Sequence, residues 1–214
     1  MMDIKRLAEE LEAILLSVDR IRLSDFIKSL KEDLSLQDMV EELIYPVLEH
    51  IGELWADDKI ALSQVYMSGR LVKELLAEFY PESKSPRKNH TKVALAVLED
   101  YHGLGLDIIE SFLKTYGIHP KVYGLGVSAG DLVDKIQEDM VDVLLVSTLM
   151  YRASLKVEDL VKGIKKKNLR VKVIVGGAPF RYDESLWKKV GADAFGRNAF
   201  ESIELIKQMS VEQR

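Results

Sequence analysis

"KVALAVLEDYHGLGLDI", Lys92 to Ile108, is the stretch on which the fold turns. Six consecutive apolar residues, Val93 to Leu98, are too short for a helix and read as a buried strand. The run stops at Asp100-Tyr101-His102, two glycines follow, and an amphipathic segment begins. Strand, loop, helix is the unit of a parallel sheet, and the same unit recurs downstream. "KVYGLGV" (121–127), "VDVLLVS" (141–147), "VKVIVGG" (171–177) and a weak "ADAFG" (192–196) alternate with helical segments. Such alternation implies parallel strands joined by right-handed crossovers, a doubly wound five-stranded α/β domain. In the flavodoxin-like order 2-1-3-4-5, strands 1, 3 and 4 are neighbours, and ligands bind at their carboxyl ends. Asp100-x-His102-x-x-Gly105, Ser147-Thr148-Leu149 and Gly176-Gly177 occupy those three ends.

Upstream, the period changes. Leu7, Leu11, Ile14, Leu15 and Val18, then Met39, Leu43, Val47 and Ile51, recur at three and four residues, the spacing of amphipathic helices. Ser24, Ser35 and Ser63 stand at helix starts, Ser35 with Asp38 forming a capping-box pattern. Four helices are expected near 3–18, 24–31, 36–56 and 62–79, with Pro46 placed to kink the third. "YPESKSPRKNHTK", Tyr80 to Lys92, holds two prolines and no apolar period, and reads as an exposed linker. The expected division is a helical-bundle domain over 1–88, with its linker from about 80, and an α/β domain over 89–214.

Composition narrows the chemistry. The chain has 214 residues, 47% hydrophobic and 30% charged, as an ordinary globular protein does. It has no cysteine, which excludes disulfides, thiolate metal sites and thiol catalysis. A net charge of −5 gives no general attraction to nucleic acid, and Lys165-Lys166-Lys167 reads as the last turn of a helix. No apolar run approaches a membrane span and the first residues do not read as a signal peptide, so a cytoplasmic protein with neither nucleic-acid nor membrane partner is expected.

Several familiar patterns fail on inspection. Gly103-x-Gly105 would need a third glycine at 108, which is Ile. "GVSAG", Gly126 to Gly130, has the spacing of a nucleophile elbow, but no histidine follows His119, so Ser128 reads as a helix cap. Ser147 lacks the flanking glycines of an elbow and is a poor partner for a triad with His102 and Asp100. His50, His90 and His119 lie too far apart in the predicted fold to complete a zinc site with His102. Asp100-x-His102 taken alone reads more simply as a structural hydrogen-bonded pair.

Taken together, the three strand-end pieces resemble the motif of proteins that hold cobalamin with its own base displaced by a histidine. The intervals, 41 residues (106 to 146) and 26 residues (150 to 175), match that family's spacing. The resemblance spans the chain, since a helical domain before such a domain is the arrangement of the cobalamin module of methionine synthase and of small corrinoid proteins of methyltransferase systems. It implies that His102 is the axial cobalt ligand and that Asp100 accepts the proton of the other ring nitrogen, fixing the tautomer. It further implies a slot for the displaced tail, with Ser147 bonding the base, Leu149 lining the cavity, and Gly176 and Gly177 permitting close approach. Tyr101, Gly103, Leu104, Gly105, Thr148, Ala178 and Phe195 complete the implied cofactor contacts. The chain departs from the family at Leu106, where Lys is frequent, at the bulky Tyr101, and at Ala153, where methionine synthase has a Ser.

The segment Glu49 to Leu75 looks like the cap of small methyltransferase corrinoid proteins. Trp55, Leu62, Tyr66 and Met67 would cover the upper cobalt face, although the same stripe also reads as bundle core. The "GGAPF" ending of strand 4 also looks like this family. The implied role is a methyl shuttle, with methylcobalamin during turnover, between a methyl-donor and a methyl-acceptor methyltransferase, with a reductive activator as a further partner. A cobalamin-dependent light sensor or a storage module is the alternative. The sensor's caps carry Glu-His where this chain has Val65-Tyr66, and no DNA-binding domain is read before the cap.

Overall fold

A computed structural model describes residues 3–35, 38–79 and 91–212. The chain divides into two compact units, Met1–Pro81 and Glu82–Arg214. Residues 80–90 of the expected linker lie outside the described residues, as do 36 and 37 at the expected start of the third helix.

In the first unit, α1 (Ile4–Leu16) starts at Asp3, whose carboxylate accepts the Arg6 N–H at 3.2 Å. Leu11, Ile14 and Leu15 form its buried stripe. Val18, at φ 56°, turns the chain, and Asp19 caps α2 (Arg20–Leu30) by accepting the Arg22 N–H at 3.0 Å. The serine expected to start this helix, Ser24, therefore lies inside it, because Asp19 offers a cap one turn earlier. The single third helix expected over 36–56 is two pieces. A π-helical segment (Met39–Ile44) precedes α3 (Tyr45–Ala56), and the Tyr45 N–H reaches back five residues to the Val40 carbonyl. Pro46 in the first turn of α3 cannot donate and would crowd the carbonyl four residues back, which the wider turn relieves. Ser35 accepts the Asp38 N–H at 3.1 Å, as its capping pattern implies. The last helix, α4 (Leu62–Phe79), begins one residue before Ser63, with the Gln64 side chain accepting the Ala61 N–H. Leu11, Ile27, Met39, Leu43, Ile51 and Leu76 close the bundle core.

The second unit is a parallel five-stranded sheet in the order β2-β1-β3-β4-β5, the expected flavodoxin-like order. Its central strands β1 (Val93–Val97), β3 (Val143–Ser147) and β4 (Lys172–Gly176) pair so that Val97, Ser147 and Gly176 stand in one row at their carboxyl ends. The edge strands are shorter than the sequence suggests. β2 is Lys121–Val122, because Gly124 at φ 90° and Gly126 at φ 67° turn the chain, and β5 is Ala194–Phe195. Leu98 continues β1 through a bridge to Val127.

Helices α5 (Leu104–Thr115), α6 (Ala129–Asp139), α7 (Tyr151–Leu155), α8 (Val157–Lys166), α9 (Ala178–Tyr182), α10 (Leu186–Lys189) and α11 (Ala199–Glu212) complete the unit. α6 and α8 bury Leu132, Ile136, Leu160 and Ile164 against one face of the sheet. α5 and α11 pack together, α5 against β1 and α11 against β3 and β4. Ser128 caps α6 by accepting the Asp131 N–H, and Lys165 and Lys166 end α8, the roles expected of them. No helix among the described residues is long and apolar enough to cross a membrane.

Candidate functional site: a carboxylate-clamped histidine above an apolar cleft

The site begins where β1 ends. Glu99, exposed and at φ 46°, swings the backbone so that the next residue turns inward, leaving Asp100 only 3% exposed. Asp100 Oδ2 accepts the N–H groups of Leu149 and Met150, each at 2.8 Å, which ties the end of β1 to the loop after β3. Its Oδ1 accepts the His102 N–H at 3.1 Å and lies 2.5 Å from His102 Nδ1. Burial opposes ionisation of this carboxyl. The hydrogen bonds from Met150, the His102 ring, Leu149 and the His102 backbone outweigh burial and hold its pKa at about 2.

An ionised Asp100 has no proton to give, so Nδ1 of a neutral His102 must carry one. Nε2 is then left with its lone pair, and it makes no hydrogen bond to any described residue. The His102 side chain is 55% exposed, so the clamp orients the ring without burying it. Among the described residues no cluster of three His, Asp or Glu side chains gathers as a metal site. One exposed imidazole nitrogen with a fixed tautomer suits a metal whose other positions are already filled.

Between β1, β3, β4 and the helices α5 and α11 lies a narrow cleft. Its walls are apolar, with Leu106, Ile109, Leu145 and Ile174 among them, and its two polar side chains are Ser147 and Ser202. The Ser147 hydroxyl makes no hydrogen bond to any described residue. A methyl group on Gly105 would come within 3.3 Å of that hydroxyl, so the glycine keeps this part of the cleft open. The sequence marks Leu106 only as a departure from the family's frequent Lys, and it marks neither Ile109 nor Ser202. An apolar residue in an amphipathic helix carries no mark distinguishing a cleft wall from a core, and Ser202 lies far from the motif in sequence.

Other expected site residues fall differently. Gly177 is required by the backbone itself: it sits at φ 110°, and an added methyl would fall 1.9 Å from the Thr148 carbonyl oxygen. Leu149 is exposed and does not line the cleft; its backbone N–H is what the site uses. Phe195 is core, packed against Phe180 with ring centroids 6.2 Å apart and with Arg197 over its ring, so its side chain is withdrawn from the site. Tyr101 is exposed and lies over Gly126, while Gly103 and Leu104 open α5, and Ala178 opens α9, at the same sheet edge. Ala153 is buried, and its neighbour Ser154 bonds the Tyr151 carbonyl, not Asp100. In the helical unit Trp55, Leu62 and Tyr66 are exposed and therefore not bundle core, whereas Met67 is half-buried.

Residues 91–204 match a family described as the B12 binding domain, and residues 7–79 match a second family of the same description. A corrinoid protein of Desulfitobacterium hafniense (strain Y51) is 30% identical over 190 residues, covering 85% of this chain and 87% of that protein. The chain belongs to the B12-binding family. Dimethylamine corrinoid protein 1 of Methanosarcina acetivorans is 25% identical over 210 residues, covering 96% of this chain and 98% of its own. The structure of the Methanosarcina barkeri monomethylamine corrinoid protein shares the fold, with a TM-score of 0.75 at 20% identity over 94% of this chain and 97% of that one.

The cofactor of this B12-binding chain is a corrinoid, and the residues present fit one: a single free imidazole nitrogen, an unpartnered hydroxyl and an apolar cleft at one sheet edge. One buried hydroxyl is left over at this sheet edge, as Ser68 Oγ is in the helical unit. Thr148 Oγ1 has no hydrogen-bond partner among the described residues. Thr148→Val keeps the shape and removes an unsatisfied polar atom, so it is expected to raise apoprotein stability by about 1 kcal/mol in chemical denaturation.

Proposed function

We propose that this chain is a methyl carrier that holds its corrinoid through His102 Nε2, with the cofactor's own base displaced into the cleft beside Ser147. The observation that carries this reading is the Asp100 clamp: a buried carboxylate that keeps a proton on Nδ1 leaves the Nε2 lone pair free to ligate a metal. A bound corrinoid supplies a cobalt centre that accepts and gives up a methyl group.

The chain's own residues orient and shield that centre. Asp100 fixes the tautomer of the ring it holds, and it is itself fixed by backbone donors of another strand's loop, so the ring cannot reorient cheaply. Ser147 offers both a proton and lone pairs to a base in the cleft, and Gly105 and Gly176 leave the approach clear. Trp55, Leu62, Tyr66 and Met67 are proposed to cover the upper cobalt face and exclude water from it. Exposure of the first three on the helical unit is what this role needs and what a core role would forbid. The partners are proposed to be two methyltransferases, one delivering and one removing the methyl group, with a reductive activator.

Transfer of isotopic label tests the proposal. Corrinoid-loaded protein incubated with methylamine-specific methyltransferases and labelled substrate is expected to take up label and to release it to an acceptor enzyme in the dark. Adenosylcobalamin binding far more tightly than methylcobalamin, with light altering the oligomeric state, would instead make the protein a sensor.

A further inference from the structure

Ser147 and Ser202 stand at opposite ends of a strip without side chains. Ser147 is in register with Gly176 across β3 and β4, and the position of a methyl group on Gly176 is 3.3 Å from the Gly196 carbonyl oxygen. Gly196 in turn has no room for a side chain, because a methyl group there would fall 2.3 Å from Ser202 Oγ. The glycine after β5 thus lets α11 bring a hydroxyl into the wall of the cleft. Both ends of the strip are polar and the walls are apolar, the complement of a flat aromatic ring with polar groups at its two edges.

The two hydroxyls are not equivalent. Ser147 makes no hydrogen bond to a described residue and can donate or accept. Ser202 is 2% exposed and donates its proton to the Asn198 carbonyl at 2.9 Å, so it presents only lone pairs to the cleft. We infer that Ser202 is a specificity residue for the cofactor tail, acting as a hydrogen-bond acceptor that favours a lower base bearing a donor on its outer edge, a ring hydroxyl or an exocyclic amine, over one bearing methyl groups there. The inference rests on the proposed entry of the displaced base into this cleft. A donor-bearing base satisfies a buried acceptor, whereas a methylated edge places an apolar group against it.

Equilibrium binding to the apoprotein, followed by the corrinoid absorption spectrum, tests this with three ligands: a dimethylbenzimidazole cobamide, a hydroxybenzimidazole cobamide, and cobinamide, which has no nucleotide. The hydroxylated form is expected to bind about three- to tenfold more tightly than the dimethylated one. Ser202→Ala is expected to erase that preference and leave cobinamide affinity unchanged. Equal affinity of the two cobamides in the wild type, or a preference that survives Ser202→Ala, overturns the inference. If cobinamide binds as tightly as both cobamides, the tail does not enter the cleft, and the base-displacement reading fails with it. Weak cobinamide binding with equal cobamides defeats the role of Ser202 alone.

Discussion

Asp100→Ala is expected to destabilise the apoprotein by roughly 3 kcal/mol and to weaken corrinoid binding by about tenfold to a hundredfold. The stability loss follows from the donors left behind. Leu149 N–H, Met150 N–H and His102 N–H all end on this carboxylate, and alanine offers none of them an acceptor. The affinity loss follows from the imidazole, which would no longer be held in one tautomer or one orientation. Asp100→Asn separates the two effects. Its amide oxygen can stay with Leu149 and Met150, which preserves the tie to the β3 loop. Its NH₂ then faces Nδ1 and the His102 N–H, a mismatch that drives the ring proton to Nε2. Asparagine should therefore fold better than alanine and yet bind cofactor no better.

The same clamp gives a pH dependence with a defined sign. The folded pKa of Asp100, about 2, lies below its ordinary value of 3.8. A depressed carboxyl contributes stability that is fully present above the unfolded pKa and is lost as pH falls through the folded one. Wild type should lose on the order of 2 kcal/mol between about pH 4 and pH 2 through this group, a loss absent in Asp100→Asn. Denaturation curves of the two proteins across that range measure the difference.

Gly177→Ala is expected to cost about 4 kcal/mol and to leave little folded α/β unit at 37 °C. Backbone at φ 110° and ψ 173° is accessible to glycine and strained for any other residue. The added carbon would also sit 1.9 Å from the Thr148 carbonyl oxygen, which is backbone and cannot swing away. Gly105→Ala is the contrast. Its methyl group meets only the Ser147 hydroxyl at 3.3 Å, within a helix that alanine favours, so stability should stay within about 1 kcal/mol of wild type. The effect of that variant belongs on cofactor affinity.

Much of this arrangement was legible in the sequence, for identifiable reasons. Short apolar runs ending in Asp100-x-His102, Ser147 and Gly176 marked the central strands, because a strand buried on both faces leaves no polar alternation to obscure it. Less was legible at the edges, where Gly124 and Gly126 ended β2 after two residues although valine and tyrosine there favour a strand. In the helical unit, Asp19 outcompeted Ser24 as a cap, and Pro46 enforced a π turn that apolar spacing alone does not announce. Within the site, Gly177 and Phe195 answer to distant parts of the chain: one to a carbonyl 29 residues earlier, from 148 to 177, and the other to a ring across the core. Ser202 was invisible for a similar reason, since only the sheet brings α11 to the end of β3 and β4.

The most direct test of the account is the identity of the nitrogen bound to cobalt. Apoprotein grown on ¹⁵N-histidine, loaded with cobalamin and reduced to the paramagnetic Co(II) form, is expected to show hyperfine splitting from one ¹⁵N nucleus. That splitting should be absent in His102→Ala and unchanged in His50→Ala. A splitting that keeps the ¹⁴N pattern of the cofactor's own base despite the label, or one that survives in His102→Ala, would contradict it.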